Sequence, residues 1–507
     1  MRGYMKMNHY GWKIAATLAA GLAIAGCSDS KEKQAAPAPG QAAAPAAPAG
    51  PLEISFMGAW AGEPPQANSE SQKIIENATN TKLTFQWLAS AAADEKINVT
   101  IASGQMPKTI GTFLKPTIIN AIRNNTFWEI GPYLKDYPNL SKISPLIYQN
   151  VAVDGKTYAL PRVRPLVRDA VIYRKDWLKN VGMQEPKTID ELYAVMKAFT
   201  LNDPDKNGKN DTLGSFEYKS MNLFDFILPA FGAPNKWSVQ NGKFTPDFMT
   251  KEYMDAMKFY KKLYDEKLIN QDFAVAEKTQ FTAAFDSSKA GTQADVSLNA
   301  VARQTALRKT VPQVETDFIG VIEGTRGPIV YAGPGNNGVV LISKSSVKTE
   351  AELKQILGFF NKLADDPVAT LLAWGIEGKH YKKANGVNER IDAKLYETEV
   401  KPYREMKVHG DEKEFEGNLD PLTVKANKSN ADREKLAIAD PSLPLFSQTF
   451  TDKGAQLNKI IEDARVKFIM GKVDEAGFKA EIDQWVKSGG DKVIKEYEED
   501  FARAQKK

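Results

Sequence analysis

An acidic loop in the middle of the chain carries the sharpest chemical signal of the sequence. Residues 203–211 read DPDKNGKND, with oxygen-bearing side chains at loop positions 1, 3, 5 and 9 and Gly208 at position 6. This is the spacing of an EF-hand calcium loop, in which alternate oxygens converge on one ion and glycine permits the tight turn. The ligands expected from this spacing, with a backbone carbonyl at position 7, are Asp203, Asp205, Asn207, Lys209 and Asp211.

The match to a calcium loop is incomplete. An EF-hand places a bidentate glutamate at position 12, and this chain has Gly214 there. We therefore expect a structural Ca²⁺ ion of reduced affinity. A polar surface loop held by Asx turns remains the alternative.

A cluster of charge occupies residues 162–169. It contains Arg162, Arg164 and Arg168, followed by Asp169. A guanidinium group presents a planar fork of donors that suits carboxylates, sulfates or paired sugar hydroxyls. A set of salt bridges on a solvated surface is the alternative, and the residues alone do not decide between the two.

The sequence contains few of the patterns that are typical of an enzyme. The chain has three histidines, one of them in the leader, and it lacks the G-x-S-x-G, H-E-x-x-H and zinc-ligand spacings. Residues 333–338, GPGNNG, match G-x-G-x-x-G, but the strand-like VVLISKSS follows where a dinucleotide site needs a helix. We expect a turn there and no enzymatic activity.

The charge balance excludes nucleic acid as a partner. The 507 residues carry a formal net charge of +4. Three of the positive charges, Arg2, Lys6 and Lys13, lie in the first 26 residues, which contain no acid. The rest of the chain is nearly neutral and has no bulk attraction for a polyanion.

The amino terminus has the pattern of an exported lipoprotein. A basic stretch precedes an apolar run at 14–26, which is too short to span a membrane but suits a signal peptide. The run ends in IAGC at Cys27, the only cysteine, and resembles a bacterial lipobox. We predict a signal peptide at 1–26, lipidation of Cys27 and an Ala/Pro-rich tether at 27–51. A plain secretory signal is the alternative.

The elements that must position these residues begin at residue 52. Strand-like segments at 52–60, 82–88 and 109–113 alternate with helical segments at 69–78 and 95–103. This order predicts a parallel sheet wound by helices, which binds ligands at the carboxyl ends of its strands. Further along, Thr188 and Glu191 form the capping box of another helix.

The order of these features resembles the extracellular solute-binding proteins of bacterial ABC sugar importers. The similarity is to the maltose-binding-protein type and to its large oligosaccharide- and alginate-binding branch. It rests on the lipobox and tether, on ISFMGAW (54–60), on VDGKTYALPRVRPLVRDAVIYRKDWLKNVGMQEPKTIDELYAVMKAF (153–199) and on DKVIKEYEEDFAR (491–503).

The resemblance implies an α/β, two-lobed periplasmic-binding-protein-like fold with the ligand cleft between the lobes. Residues 52–163 would start lobe 1, and 164–328, with the calcium-type loop 203–212, would start lobe 2. Residues 329–400 would return to lobe 1, and 401–507 would be mostly C-terminal helices of lobe 2.

The resemblance also implies a binding site. It places Arg162, Arg164, Arg168 and Asp169 beside the cleft, and Asn299 by family position alone. Sugar sites need aromatic platforms, and Trp60, Trp237 and Trp374 lie next to small or loop residues, although any single Trp is more often buried packing. Alginate-binding relatives carry an acid after the last Asp of the calcium loop, where this chain has Thr212, a further candidate ligand.

The implied function is capture of an oligosaccharide by hinge closure and its delivery to the permease subunits of an ABC importer. We expect a monomer that is lipid-anchored on the extracellular face of the cell membrane. Two alternatives are a surface lipoprotein that binds a cell-wall polymer or acts as a sensor without transport, and a tethered glycoside hydrolase.

Overall fold

The computed structural model describes residues 50–417 and 419–505. The predicted signal peptide, Cys27 and all but the last residues of the tether lie outside these ranges. The strands are β1 (Leu52–Trp60), β2 (Thr81–Ala89), β3 (Thr109–Thr112), β4 (Ala159–Val163), β5 (Asp169–Arg174), β6 (Leu213–Ser215), β7 (Trp237–Gln240), β8 (Lys243–Pro246), β9 (Ala290–Val296), β10 (Thr316–Ile319), β11 (Glu323–Gly324), β12 (Gly327–Pro328), β13 (Val330–Tyr331), β14 (Asn336–Ile342), β15 (Tyr381–Ala384), β16 (Val387–Arg390) and β17 (Ala437–Ile438).

The helices flank two main sheets. They are α1 (Glu70–Thr79), α2 (Ala93–Ser103), α3 (Pro116–Arg123), α4 (Pro138–Ser141), α5 (Pro145–Asn150), α6 (Lys175–Asn180), α7 (Ile189–Leu201), α8 (Asn222–Phe231), α9 (Lys251–Asp265), α10 (Lys278–Asp286), α11 (Asn299–Leu307), α12 (Glu350–Lys362), α13 (Val368–Trp374), α14 (Ala393–Glu399), α15 (Pro421–Arg433), α16 (Gln448–Ile469), α17 (Glu475–Trp485) and α18 (Asp491–Gln505).

The first sheet has five strands in the order β2-β1-β3-β14-β4. Strand β1 is parallel to both β2 and β3, as the alternating pattern at 52–113 predicts. Helix α1 follows β1. The Ser69 hydroxyl caps the start of this helix by accepting a hydrogen bond from the amide of Gln72. Strand β14 begins at Asn336, so the expected turn at 333–338 is limited to residues 333–335 and the rest of the segment is already strand. Strand β14 runs antiparallel to β3 and β4.

The second sheet has four strands in the order β10-β5-β9-β6. Strands β6 and β9 are parallel, and β5 runs antiparallel to β9, so Asp169 at the start of β5 pairs with Val296 at the end of β9. The carboxyl edge of β6 and β9 is therefore also where β5 begins. Helix α7, which leads towards this sheet, carries the predicted capping box between Thr188 and Glu191.

The chain passes between the two sheets through separate segments. Residues 164–168 connect β4 to β5, residues 320–335 lead from β10 back to β14, and residues 407–420 lead to α15. Helix α15 packs against α11, and its Ala426 belongs to the same apolar cluster as Phe318 of β10. The predicted lobe boundaries at 163/164, 328/329 and 400/401 stay a prediction.

A fully buried carboxyl lies just beyond β6. The carboxylate of Glu217 accepts hydrogen bonds from the Leu223 amide and the Ser215 hydroxyl, both at 3.3 Å. Burial raises the pKa of Glu217 to about 7. The folded protein therefore keeps a proton there that the unfolded chain, with a pKa of about 4.3, has already released at neutral pH.

From this raised pKa we predict that the Glu217→Gln variant gains stability relative to the parent as the pH rises. Between about pH 4.3 and pH 7 the folded state binds more protons than the unfolded state, so the contribution of Glu217 to stability is lost as the pH rises. Relative to the parent, the Gln variant should gain up to about 3 kcal/mol of unfolding free energy between pH 4 and pH 8. Urea titrations across this range measure the difference. The Glu462→Gln variant, at an exposed position, is the control and should show no such gain. If the unfolding free energy of Glu217→Gln relative to the parent also stays constant with pH, the raised pKa of Glu217 is contradicted.

Candidate ligand-binding site

Two adjoining cavities open at the carboxyl edge of β9. They have volumes of about 260 and 160 Å³ and share Asp169, Asp225 and Phe226, and we call them the edge cavities. The remaining lining residues come from the segment before β5 and β5 itself, from α8 and the loop after it, from the end of β9, from the crossing segment 320–335, and from the end of α15 and the residues after β17: Val167, Ala170, Asn222, Pro229, Asn235, Lys236, Ala294, Asp295, Val296, Gly320, Val321, Ile322, Ile329, Val330, Tyr331, Ala332, Gly333, Pro334, Arg433, Asp440 and Leu443.

Four carboxylates dominate the polar lining of the edge cavities: Asp169, Asp225, Asp295 and Asp440. Burial raises the pKa of the Asp169 carboxyl, and the guanidinium groups of Arg168 and Arg433 oppose this rise. The carboxylates of Asp225 and Asp295 add to it. Carboxylates accept hydrogen bonds from hydroxyl groups, so this edge can bind a polyhydroxylated ligand.

Aromatic surface lies beside these acceptors. The rings of Phe226 and Tyr331 line the larger edge cavity. The Tyr331 hydroxyl donates to the carbonyl oxygens of Ala233 and Pro234, at 2.9 and 3.0 Å, which fixes the ring. The C–H faces of a sugar pack on such rings while its hydroxyls bond to polar groups.

The guanidinium of Arg433 holds the crossing segments to α15. It is 4% exposed and donates to the carbonyl oxygens of Asp169, at 2.7 Å, and of Gly320. It also donates to the Ser429 carbonyl at 3.2 Å and to Oδ1 of Asn430 at 2.8 Å. Burial lowers the pKa of Arg433 to about 10. No local sequence pattern marks this residue, because its partners are distant in the chain.

The four charged residues predicted to line the cleft have different surroundings. Arg162 forms an ion pair with Glu405 at 2.8 Å and is largely buried. Arg164 and Arg168 are exposed, and neither forms an ion pair with another residue that the structure describes. Asp169 lines both edge cavities. The segment thus combines a structural salt bridge with two available guanidinium groups.

The three candidate tryptophans also differ in their exposure and contacts. Trp60 ends β1, is partly exposed, and donates from Nε1 to the Glu63 carbonyl at 3.1 Å. Trp237 packs against Tyr497 of α18, with ring centroids 5.2 Å apart. Trp374 is buried and donates from Nε1 to the Lys413 carbonyl at 2.9 Å. Trp60 alone of the three lies at the carboxyl edge of a main sheet.

Asn299 is the first residue of α11 and is partly exposed. It follows the end of β9 by three residues and therefore lies near the carboxyl edge of the second sheet. It is not among the residues that line the edge cavities.

The acidic loop at 203–211 is closed by its own hydrogen bonds. The Asp203 carboxylate accepts from the amides of Asn207 and Gly208, at 3.0 and 2.9 Å. Nδ2 of Asn207 donates to Asp205 and to Asp211, at 2.9 and 3.1 Å. The side-chain N–H₂ group of Asn207 therefore lies between the carboxylates of Asp205 and Asp211, where a cation would need an oxygen ligand.

Two observations bear on a metal ion in this loop. Burial and the neighbouring Asp203 raise the pKa of Asp205, as crowded carboxylates do without a cation. The hydroxyl of Thr212 is directed elsewhere, since it is buried and donates to the Phe199 carbonyl at 2.6 Å. Within the described ranges, no cluster of three or more His, Cys, Asp or Glu residues has the geometry of a formed metal site.

Comparison with known proteins decides the family. Residues 61–367 match the family described as bacterial extracellular solute-binding protein. This stretch covers more than half of the chain and runs from α1 to α12, so it includes every strand of the two main sheets except β1. The chain belongs to this family.

Curated relatives match this solute-binding protein over most of its length. It is 38% identical over 502 residues to the polygalacturonan/rhamnogalacturonan-binding protein YtcQ of Bacillus subtilis (strain 168), covering 97% of this chain and 98% of the relative. It is 39% identical over 446 residues to the lipoprotein LipO of the same organism, covering 86% and 89%. The resemblance stated from the sequence is confirmed.

A solved structure supports the fold. The alginate-binding protein AlgQ2, in a crystal structure without calcium ion, matches with a TM-score of 0.61 and 19% identity, covering 89% of this chain and 98% of that chain. The two-lobed α/β fold expected from the sequence is confirmed. The family consists of binding proteins, so the solute-binding protein is not an enzyme. None of the helices described is long and apolar enough to cross a membrane.

Proposed function

We propose that this solute-binding protein captures an oligosaccharide between its lobes and delivers it to the permease subunits of an ABC importer. The observation that carries the proposal is the pair of edge cavities, which combine four carboxylate acceptors with the rings of Phe226 and Tyr331. Trp60 ends β1 of the first sheet, and the half-exposed Phe113 follows β3 of the same sheet. Hinge closure brings these rings towards the edge cavities.

We further propose that the ligand is an acidic, galacturonate-containing oligosaccharide. The relative that shares 38% of its residues with this chain is named for polygalacturonan and rhamnogalacturonan binding. Arg168 is exposed and lies next to Asp169 of the edge cavities, and no ion pair joins it to another described residue. An exposed guanidinium at this position is suited to a uronate carboxylate, and its charge also offsets part of the repulsion from Asp169.

The Arg168→Gln variant tests this proposal. Loss of one charge-assisted hydrogen bond should weaken oligogalacturonide binding about tenfold or more, and should leave the binding of a neutral oligosaccharide unchanged. Isothermal titration calorimetry of the tether-free protein measures both affinities. Lys479→Gln on α17 removes one charge from an exposed site and should have no effect. If neither type of sugar binds the parent protein, the transport proposal fails, and if both weaken equally, only the acidic specificity fails.

We also propose that Ca²⁺ binds the loop at 203–211. Asp203, Asp205, Asn207 and Asp211 would supply side-chain oxygens, with rotation of the Asn207 amide, and Lys209 would supply its carbonyl oxygen. The placement of Asp203, Asp205 and Asp211 in one short loop and the raised pKa of Asp205 support the proposal. Thr212 is left out of this ligand set. The ion's role is structural, because it stabilises the connection between α7 and β6.

The Asp205→Asn variant distinguishes a calcium site from an Asx-turn loop. In a calcium site, added Ca²⁺ raises the melting temperature of the parent by a few degrees, and the variant loses this response. In EDTA the variant should melt at or above the temperature of the parent, because one of the crowded carboxylates is gone. Differential scanning calorimetry with and without CaCl₂ measures both effects. A parent that melts identically in EDTA and in CaCl₂ argues for the Asx-turn loop.

Lipid anchoring through Cys27 and a monomeric state complete the proposal. The relative LipO is named a lipoprotein, and the lipobox at Cys27 with its Ala/Pro-rich tether fits the same arrangement. The folded part would then be held on the extracellular face of the cell membrane, within reach of a permease.

A further inference from the structure

A third cavity of about 620 Å³ lies on the other side of the first crossing segment. Arg164 and Pro165 line it, whereas Val167 and Asp169 of the same segment line the edge cavities. We call it the α15 cavity, because one wall is the face of α15 that carries Asn427, Asn430 and Ala431. Its other walls are α4, α5 and residues 409–416.

The α15 cavity contains buried hydrogen-bond donors that have no partner. Asn430 is 3% exposed, and its Oδ1 accepts from the Ser297 hydroxyl at 2.9 Å and from Arg433 at 2.8 Å. Both contacts fix the orientation of the amide and leave Nδ2 without an acceptor among the described residues. Nδ2 of Asn427, one helical turn away on the same wall, is also buried and also has no acceptor among the described residues. Buried polar atoms without partners are uncommon in folded proteins.

The same cavity contains an unpartnered acceptor. His409 is 8% exposed, and its Nδ1 lies 2.9 Å from the Gly410 carbonyl oxygen. A carbonyl oxygen only accepts, so this contact assigns the proton to Nδ1 and leaves a lone pair on Nε2. Burial and the charge of Lys407 lower the pKa of His409 to about 4, so the ring is neutral at physiological pH. Nε2 forms no hydrogen bond with a described residue, although the Leu363 carbonyl lies close enough to the ring to oppose the lowering of its pKa.

The charge of the lining favours a neutral ligand. The side chains that line the cavity include three cationic residues and four acidic ones: Lys142, Arg164, Lys413, Asp411, Glu412, Glu416 and Glu434. Lys413 already pairs with Glu416 at 2.8 Å and with Asp366 at 2.7 Å. The cavity therefore offers no net attraction to an anion.

We propose that the α15 cavity is a second binding site, for a neutral polyhydroxylated ligand the size of a monosaccharide or disaccharide. A hydroxyl group both donates and accepts, so it satisfies the Asn427 and Asn430 donors and the His409 acceptor together. The volume is within the range of small-molecule sites, about 300–1,000 Å³. This inference does not depend on the ligand proposed for the edge cavities.

Ligand-observed NMR with galactose, rhamnose, glucose and sorbitol tests the second site. At least one of these probes should bind the parent protein at millimolar concentration or tighter. Ala431→Trp, which fills the cavity from an exposed position on α15, should abolish this binding, and Asn427→Leu should weaken it about tenfold. Ala455→Trp, an exposed alanine on α16, is the matched control and should leave binding unchanged.

A probe bound at the edge cavities would lose affinity in the Phe226→Ala variant, which removes one of their two rings, whereas a probe bound in the α15 cavity should not, and this separates the proposal from the transport function. Circular dichroism and the melting temperature confirm that each variant is folded. Failure of every probe to bind would mean that water alone satisfies the three groups and would overturn the proposal. Probe binding that survives Ala431→Trp places the sugar elsewhere and also overturns it.

Discussion

The Arg433→Met variant is expected to lose about 2–5 kcal/mol of unfolding free energy. Methionine preserves much of the side-chain volume but removes every donor, which leaves the partly buried carbonyls of Asp169 and Gly320 without this partner. Each such group costs about 1–3 kcal/mol. The variant also frees the two crossing segments from α15, so sugar affinity at the edge cavities should fall together with stability.

Urea denaturation of the variant and the parent measures the loss. Lys428→Met removes an exposed cation from the same helix and should change stability by less than about 0.5 kcal/mol. An Arg433→Met protein within 1 kcal/mol of the parent would show that the crossing segments are held mainly by packing.

The Asp500→Ala variant is expected to lose about 3 kcal/mol. The carboxylate of Asp500 is almost fully buried and accepts from Arg123, Arg503 and the amide of Phe446, each at 2.9 Å. Arg123 lies on α3 beside the first sheet, whereas α18 packs against β8, so this ion pair joins the C-terminal helices to the first sheet. Removing one partner of a buried ion pair leaves the other charge uncompensated, although Asp154 still contacts Arg123 at 2.7 Å.

A matched pair of variants separates this contact from general effects on α18. Glu499→Ala changes the neighbouring, exposed position and should cost less than about 0.5 kcal/mol. Asp500→Asn keeps the size of the side chain and one acceptor, so its unfolding free energy should lie between those of the parent and Asp500→Ala. Guanidinium denaturation at constant ionic strength is the measurement, and equal losses for Asp500→Ala and Glu499→Ala would contradict the proposed ion pair.

The elements could be predicted from the sequence where the deciding contacts are local. Apolar periodicity placed β1, α1, β2, α2 and β3, because strands and helices differ in period and short connections leave few ways to pair them. The capping box at Thr188 joins residues only three apart, and the structure contains it as predicted.

The site could be predicted only in part, because its contacts join distant parts of the chain. The cluster at 162–169 gave no indication that Glu405 would neutralise Arg162 and leave Arg168 available. Loop-like neighbours did not reveal that α18 would cover Trp237. Arg433 and Asn430 lie in a helix rich in polar residues, and nothing local distinguishes them from its solvated face.

The pairing of β1 with β2 has a mechanical consequence. The pair extends in parallel from Leu52↔Thr81 to Trp60↔Ala89, with no break in register. A pull transmitted through the residues before Leu52 acts along β1, so the hydrogen bonds of this ladder bear the load in shear and must yield together instead of one by one. A protein held by its amino terminus against flow thus carries the tension on the longest strand pair of its first sheet.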